Sequence, residues 1–216
     1  METKRKPYKG KVNDKERTKL KLINAVGEVI KNKGYTALNA TNIAKAAGLS
    51  RRTISLYFGD VENLIEIYVK GKDYWVGLSE EIHKVEEGAD GKGTREILES
   101  LLLNQFRFFN DNEEMQKIVT WQISEPSDIM LHVCNIREKI SELFFKLSDR
   151  ELKEKNIDIR AVAALLVGGI YHLVLHSKNT NSLFCELDIS KPKDFERIEK
   201  AISLILKLAY DYKSRE

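Results

Sequence analysis

Only three prolines and two cysteines occur in the 216 residues of this chain, and no run alternates apolar with polar residues as a half-buried strand does. So little proline leaves long helices uninterrupted, and the missing alternation argues against a sheet. Cys134 and Cys185 stand far apart and in no ligand-like spacing, which fits reduced packing thiols better than a disulfide framework. No apolar run approaches the roughly 20 residues that cross a bilayer, and the N-terminus lacks the apolar stretch of a secretory signal. A cytoplasmic protein with no membrane partner is expected. Neither a glycine-rich phosphate loop nor a GxSxG elbow nor an HExxH pair is present, so no catalytic residue, cofactor or metal is assigned. His172 and His176 share a helical face but have no obvious third ligand, and packing is the reading taken for them. Acidic pairs such as Glu80-Glu81, Glu86-Glu87 and Glu113-Glu114 read as solvated charge.

What is present is 42% hydrophobic residues, enough for a buried core in one or two domains, and an uneven charge. The net charge is +3, yet residues 1–59 hold 14 Lys and Arg against 4 Asp and Glu, leaving 22 basic and 29 acidic residues in the rest. A basic head precedes an acidic body, and a field of one sign on the head alone points to a polyanion partner. Five of the cations, Lys4, Arg5, Lys6, Lys9 and Lys11, form an N-terminal tail expected to be disordered when free. Without the tail, residues 12–59 still hold 9 basic against 3 acidic side chains.

Periodicity is helical almost throughout. A first helix is expected from Asp14 to Lys33, burying Ile23, Val26, Val29 and Ile30 and ended by Gly34. A second follows the N-cap Asn39, buries Ile43, Ala44 and Ala47, and stops at Gly48. A third follows Ser50, with Ile54, Tyr57 and Phe58 apolar, and Asp60 caps a fourth in which Val61, Leu64, Ile65, Tyr68, Trp75 and Ile82 keep helical spacing. Two short helices joined by a three-residue turn with Gly48 make a helix-turn-helix pattern.

In that pattern the second helix enters the DNA major groove with its N-terminal residues toward the bases. Arg51 and Arg52 occupy that end, where the helix dipole disfavours cations and where a guanidinium can fork onto guanine O6 and N7 or pair with phosphate. Thr53, Ser55 and Tyr57 suit base or phosphate contact, with Asn39 and Thr41 at the start of the preceding helix. An outward Leu56 could meet a thymine methyl group.

From Ile23 to Leu64 the residues "LINAVGEVIKNKGY", "NIAKAAGLS" and "RRTISLYFGDVENLI" resemble the DNA-binding head of the tetracycline-repressor (TetR) family, without a gap. The resemblance implies an all-α homodimeric regulator with a three-helix head (1–59) on a palindromic operator and a C-terminal helical bundle (60–216) that dimerises and senses a small molecule. Departures from the pattern bear on the operator. Arg52 stands where the family has a small residue and offers an added base reader, while Ser55 and Val61 stand where a phosphate-contacting tyrosine and lysine are common. The tail 1–11 is expected to make up some of the lost attraction, as basic arms in the minor groove do.

The body repeats only the family's helix order. Helices are expected over 94–110, 113–123 and from Pro126, with Ile129, Val133, Ile136, Ile140, Phe144 and Leu147 as a stripe on the last. By resemblance, a ligand cavity lies among these segments and the helix from Val61, and Trp75, Phe106, Phe109, Trp121 and His132 are its candidate lining. The segments 161–176 and 201–210 are apolar around more of their circumference than a one-sided helix needs. Ala164, Gly168, Gly169, His172, Leu204 and Leu208 are the candidate dimer contacts, in the four-helix interface that the family implies. The expected function is a homodimeric repressor released from its operator by a small, largely apolar ligand. A ligand-independent or activating factor with a protein partner stands as the alternative, and an enzyme or carrier body with a DNA-binding head stands behind it.

Overall fold

The structure, a computed structural model, describes residues 10–78, 93–153, 155 and 157–212. Its helices are α1 (Gly10–Lys33), α2 (Ala40–Ala47), α3 (Arg51–Phe58), α4 (Val61–Lys72), α5 (Tyr74–Gly77), α6 (Thr94–Asp111), α7 (Glu113–Ser124), α8 (Asp128–Glu151), α9 (Ile159–Thr180) and α10 (Pro192–Asp211). A 3-10 turn, Tyr35–Ala37, follows α1. Among the described residues there is no strand, only an isolated antiparallel bridge between Phe184 and Leu187. The basic tail as far as Lys9 and the position of Ile82 lie outside the described residues, whereas Lys11, expected in the tail, falls within α1, which begins four residues before the expected Asp14.

The chain divides into two compact units, Met1–Lys72 and Asp73–Glu216, rather than at the 59/60 boundary expected from sequence. The reason is α4, whose Leu64, Ile65, Tyr68 and Val69 are buried and which packs on α1 and α3. The core of this first unit also holds Leu22, Val26, Val29 and Ile30 of α1, Ile43 of α2, and Ile54 and Phe58 of α3. Ile23, expected inside, is half-buried, and Leu22 takes the deeper position. Gly27 lets the Tyr68 ring lie against α1: a Cβ there would come within 2.8 Å of its Oη and 3.1 Å of its Cε2. Gly27→Ala is therefore expected to destabilise the unit by about 1–3 kcal/mol through overpacking. The roughly 1 kcal/mol gained in helix propensity opposes this, so a raised melting temperature would mean that the ring gives way.

The second unit is a helical bundle. Its core comprises Leu98, Leu102, Phe106 and Phe109 of α6, Met115, Ile118, Val119 and Trp121 of α7, and inward residues of α8, α9 and α10. Pro126 precedes α8 instead of opening it, because the Ser127 side chain takes the N-cap position and accepts from the Met130 N–H. The α8 stripe is rotated from the expected one: Met130, Val133, Phe144 and Ser148 are buried, while Ile129, Ile136, Ile140 and Leu147 are half-buried. The buried Phe106 ring stacks on the half-buried Phe195 ring with centroids 4.0 Å apart, joining α6 to α10.

Helix α9 corrects a sequence expectation. It is 22 residues long and, by length and composition, apolar enough to cross a membrane, because its only charges, Arg160 and Lys178, stand near its ends. It packs in the bundle through Ile159, Ala163, Ile170 and Val174, and only 22% of its apolar window is buried within the chain. Cys134 is half-buried, but Cys185, expected as a packing residue, is exposed in the turn between Phe184 and Leu187.

Candidate functional site

In the first unit the turn between α2 and α3 is set by local chemistry. The Asn39 side chain accepts the Asn42 N–H at 3.0 Å and so caps α2. Gly48 ends α2 in the left-handed region at φ 64°, its N–H and that of Leu49 closing onto the Lys45 and Ala44 carbonyls. Ser50 holds the N-cap position of α3 by backbone conformation, but its hydroxyl pairs with Thr53 Oγ1 at 3.0 Å and not with a backbone N–H.

Ile54 and Phe58 anchor α3 inward, so Arg51, Arg52, Ser55 and Leu56 face outward, Leu56 with 72% of its surface exposed. Thr53 and Tyr57 are half-buried at the edges of this face, and Asn39 and Thr41 are exposed at the start of α2. The seven polar residues singled out in the sequence thus lie on two short helices whose inner sides are fixed. Asp60 caps α4, with its Oδ1 2.7 Å from the Asn63 N–H, and Asn63 Nδ2 donates to the last carbonyl of α3 at 2.8 Å. These bonds hold the C-terminal end of α3 in place.

The second unit contains a cleft of about 830 Å³ with walls from α5 through α9. Of the five expected lining residues only Trp75 is on it. Phe106, Phe109 and Trp121 are buried as core, and His132 is exposed on α8. Leu98, Leu101, Leu102, Phe144 and Val167 supply the apolar wall, with Ile140 beside them. No residue of α4 lines it, whereas α9 does, so the cleft lies farther along the chain than expected.

Four polar residues missed in the sequence organise this cleft: Asp73, Gln122, Arg137 and Tyr171. Asp73 Oδ1 accepts the Val76 N–H at 3.0 Å and caps α5, while Oδ2 accepts Arg137 Nε at 2.9 Å and also Nη2. Arg137 Nη1 reaches Gln122 Oε1 at 2.7 Å. The Asp73 side chain has no exposed surface, and that of Arg137 is 12% exposed. Burial works against the Arg137 charge, but the hydrogen bonds and charge of Asp73 outweigh it and hold the guanidinium above its ordinary pKa. Trp75 Nε1 donates to the Tyr171 hydroxyl at 3.3 Å, and burial raises that hydroxyl above the usual tyrosine range. One sequence signal was available: Arg137 falls four residues after Val133 and seven before Phe144, on the apolar stripe of α8.

A third feature is an apolar face that the chain does not cover. Ala164, Leu165, Gly168, Gly169 and His172 on α9 and Leu204, Ile205 and Leu208 on α10 all leave surface uncovered, Leu165 by 78% and Leu208 by 61%. A Cβ at Gly168 or Gly169 would meet no atom within 4 Å. The His172 and His176 rings lie 5.9 Å apart with Phe184 against both, and His176 Nε2 is 2.9 Å from Ser182 Oγ.

Residues 22–66 match the family model of bacterial regulatory proteins, tetR family. The chain is 26% identical over 162 residues to the fatty acid metabolism regulator protein of Bacillus subtilis (strain 168), covering 70% of this chain and 78% of that one. Its fold is similar to that of the fatty acid degradation regulator FadR of Bacillus halodurans, at 17% identity and a TM-score of 0.62, over 97% of this chain and 100% of the other. It is also similar to the transcriptional regulator FadR of Bacillus subtilis, solved in complex with stearoyl-CoA, at 18% identity and a TM-score of 0.58 over 90% and 99%.

Proposed function

We infer, for a chain that belongs to the tetR family of bacterial regulatory proteins, a sequence-specific DNA-binding repressor of homodimeric form, released from a palindromic operator by an acyl ligand carried on coenzyme A. The observation that carries the DNA reading is the outward face of α3. There Arg51, Arg52, Ser55 and Leu56 stand clear of a core that Ile54 and Phe58 fix, at the end of the helix where cations are least welcome without an external anion. Thr53, Tyr57, Asn39 and Thr41 flank the contact. The operator-reading part is assigned to the unit ending at Lys72, and sensing and dimerisation to the rest.

The ligand reading rests on the cleft in the second unit, whose volume falls in the range of small-molecule sites, about 300–1,000 Å³, and whose wall is mostly apolar. The similarity to a regulator solved with stearoyl-CoA supports an acyl chain as its occupant. The dimer reading rests on the uncovered face of α9 and α10, where the missing Cβ atoms of Gly168 and Gly169 would let a second backbone approach. A symmetric dimer places two reading helices about 34–36 Å apart, one turn of DNA, and mirrors a palindrome. Ligand-stabilised spacing unlike this need differ in free energy by only about 1–3 kcal/mol to change DNA affinity usefully. Regulation, and not catalysis, is the activity assigned.

The direct test is selection of bound sequences from a randomised DNA pool, followed by titration of the enriched site against salt and against acyl-CoA. A palindromic site, a log-log salt slope near 0.9 per phosphate neutralised, and release at micromolar acyl-CoA are the expected results. No enriched sequence would overturn the repressor reading, and an enriched site indifferent to acyl-CoA would overturn the ligand part alone.

A further inference from the structure

The cleft's polar groups form one assembly, and its charge balance says what kind of ligand head it accepts. A guanidinium carries five N–H donors. Arg137 gives Nε and one Nη2 hydrogen to Asp73 and one Nη1 hydrogen to Gln122; among the described residues, nothing takes the second hydrogen of Nη1 or of Nη2. Arg137 and Gln122 both line the cleft. Asp73 cannot readily turn away, because its other oxygen caps α5 and its side chain is wholly buried. Arg137 is therefore held in place with its charge already neutralised and two donors to spare.

The same wall carries Tyr171, whose oxygen accepts from Trp75 Nε1 and whose own O–H can still donate. Gln105 on α6, 1% exposed, adjoins that hydroxyl and favours its ionised form, but the contact is too long or too poorly aligned to satisfy either polar atom of the buried amide among the described residues. It sits one helical turn beyond Leu101 and Leu102, which line the cleft. Buried amides without partners are rare in native proteins and call for an explanation.

We propose that Arg137 and Tyr171, with Asp73 as the positioning residue, form a receptor for an uncharged hydrogen-bond acceptor, the carbonyl of an ester-, thioester- or amide-linked acyl chain, in preference to a free carboxylate. The donors supply attraction for the carbonyl oxygen, and the apolar wall takes the chain. A carboxylate would bring a second negative charge to a buried site that already holds Asp73, and like charges sharing a low-dielectric site repel. The direction of the Tyr171 shift agrees, since the surroundings penalise a negative charge there. This proposal rests on the acyl-ligand reading and narrows it.

Calorimetric titration of the full chain with three probes of equal chain length tests it: the dodecanoyl thioester of coenzyme A, the dodecyl thioether, which lacks only the carbonyl, and free dodecanoate. The thioester is expected to bind about tenfold or more tighter than the thioether, the worth of hydrogen bonds from a charged donor, with dodecanoate weaker than the thioester. Asp73→Asn keeps a residue type that caps helices well but frees the Arg137 charge, so dodecanoate should gain affinity at least about tenfold relative to the thioester. Equal affinity of thioester and thioether, or dodecanoate binding tightest to the unmodified chain, would overturn the proposal while leaving an acyl effector standing. Absence of binding by all three would overturn both. Where Asp73→Asn fails to fold, as circular dichroism would report, the probe series on the unmodified chain decides alone.

Discussion

Glutamate in place of Leu165 and Leu208 is expected to leave each protomer folded and to abolish its self-association at micromolar concentration. Both side chains point away from the core, exposed by 78% and 61%, so the substitutions cost the isolated chain little. In the proposed dimer both are covered. Two-fold symmetry counts each change twice, and a central interface side chain is worth about 2 kcal/mol or more. Even one substitution then shifts the dissociation constant by about three orders of magnitude. Sedimentation velocity on the unmodified and substituted chains reads the effect directly, and an unmodified chain that runs as a monomer would remove the dimer from the proposal. Gly169→Ala sharpens the test through its sign. Within one chain the new methyl group meets nothing, and helix propensity improves by about 1 kcal/mol; at a close helix crossing the same methyl group pushes the protomers apart. A higher melting temperature with weaker association is the combination expected.

Arg52→Ala is expected to weaken binding to the selected operator by about 1–3 kcal/mol per half-site if the side chain forks onto a guanine, and to flatten preference at one base pair in each half-site. If it pairs with a phosphate instead, affinity falls for all sequences alike and the salt slope drops by about 0.9 for each phosphate no longer neutralised. Arg51→Ala, measured in parallel, assigns the neighbouring guanidinium in the same way. Neither change should lower stability, because both side chains are exposed and removing a cation from the positive end of α3 is slightly favourable. Weaker binding by a chain that melts no earlier is the mark of a side chain that touches DNA. Unchanged affinity and selectivity in both variants would take the reading face away from the start of α3.

How much of this was legible beforehand depends on the range of the signals. Asn39, Gly48 and Asp60 act on neighbours within five residues, and the ends of α2 and α3 follow from them. The boundary between the units was not legible. Leu64, Tyr68 and Trp75 keep helical spacing across it, and the break at Asp73 exists because its carboxylate turns to the Val76 N–H and to Arg137, 64 positions along the chain. The cleft was hidden for a related reason: Trp75, Phe106, Phe109 and Trp121 are alike in character, and only tertiary placement makes the first a wall and the others core. Arg137 was the readable exception, a charge set on an apolar stripe, and its meaning appeared only with its partner.

The ties between α6 and α10 impose an order on events at the ribosome. Phe106 stacks on Phe195, Arg107 Nε meets Glu199 at 2.7 Å, and Thr94 Oγ1 lies 2.9 Å from the Tyr210 hydroxyl, so the body closes only once α10 has emerged. The head needs nothing beyond Lys72 for its own core. At about 5–20 residues per second, it has several seconds or more of existence as a folded, cationic module before the surfaces that would pair it with a second copy are built. On the proposed dimer reading, a nascent chain in that interval binds nucleic acid by charge alone, with no two-fold partner to set the spacing of a site, until α10 is in place.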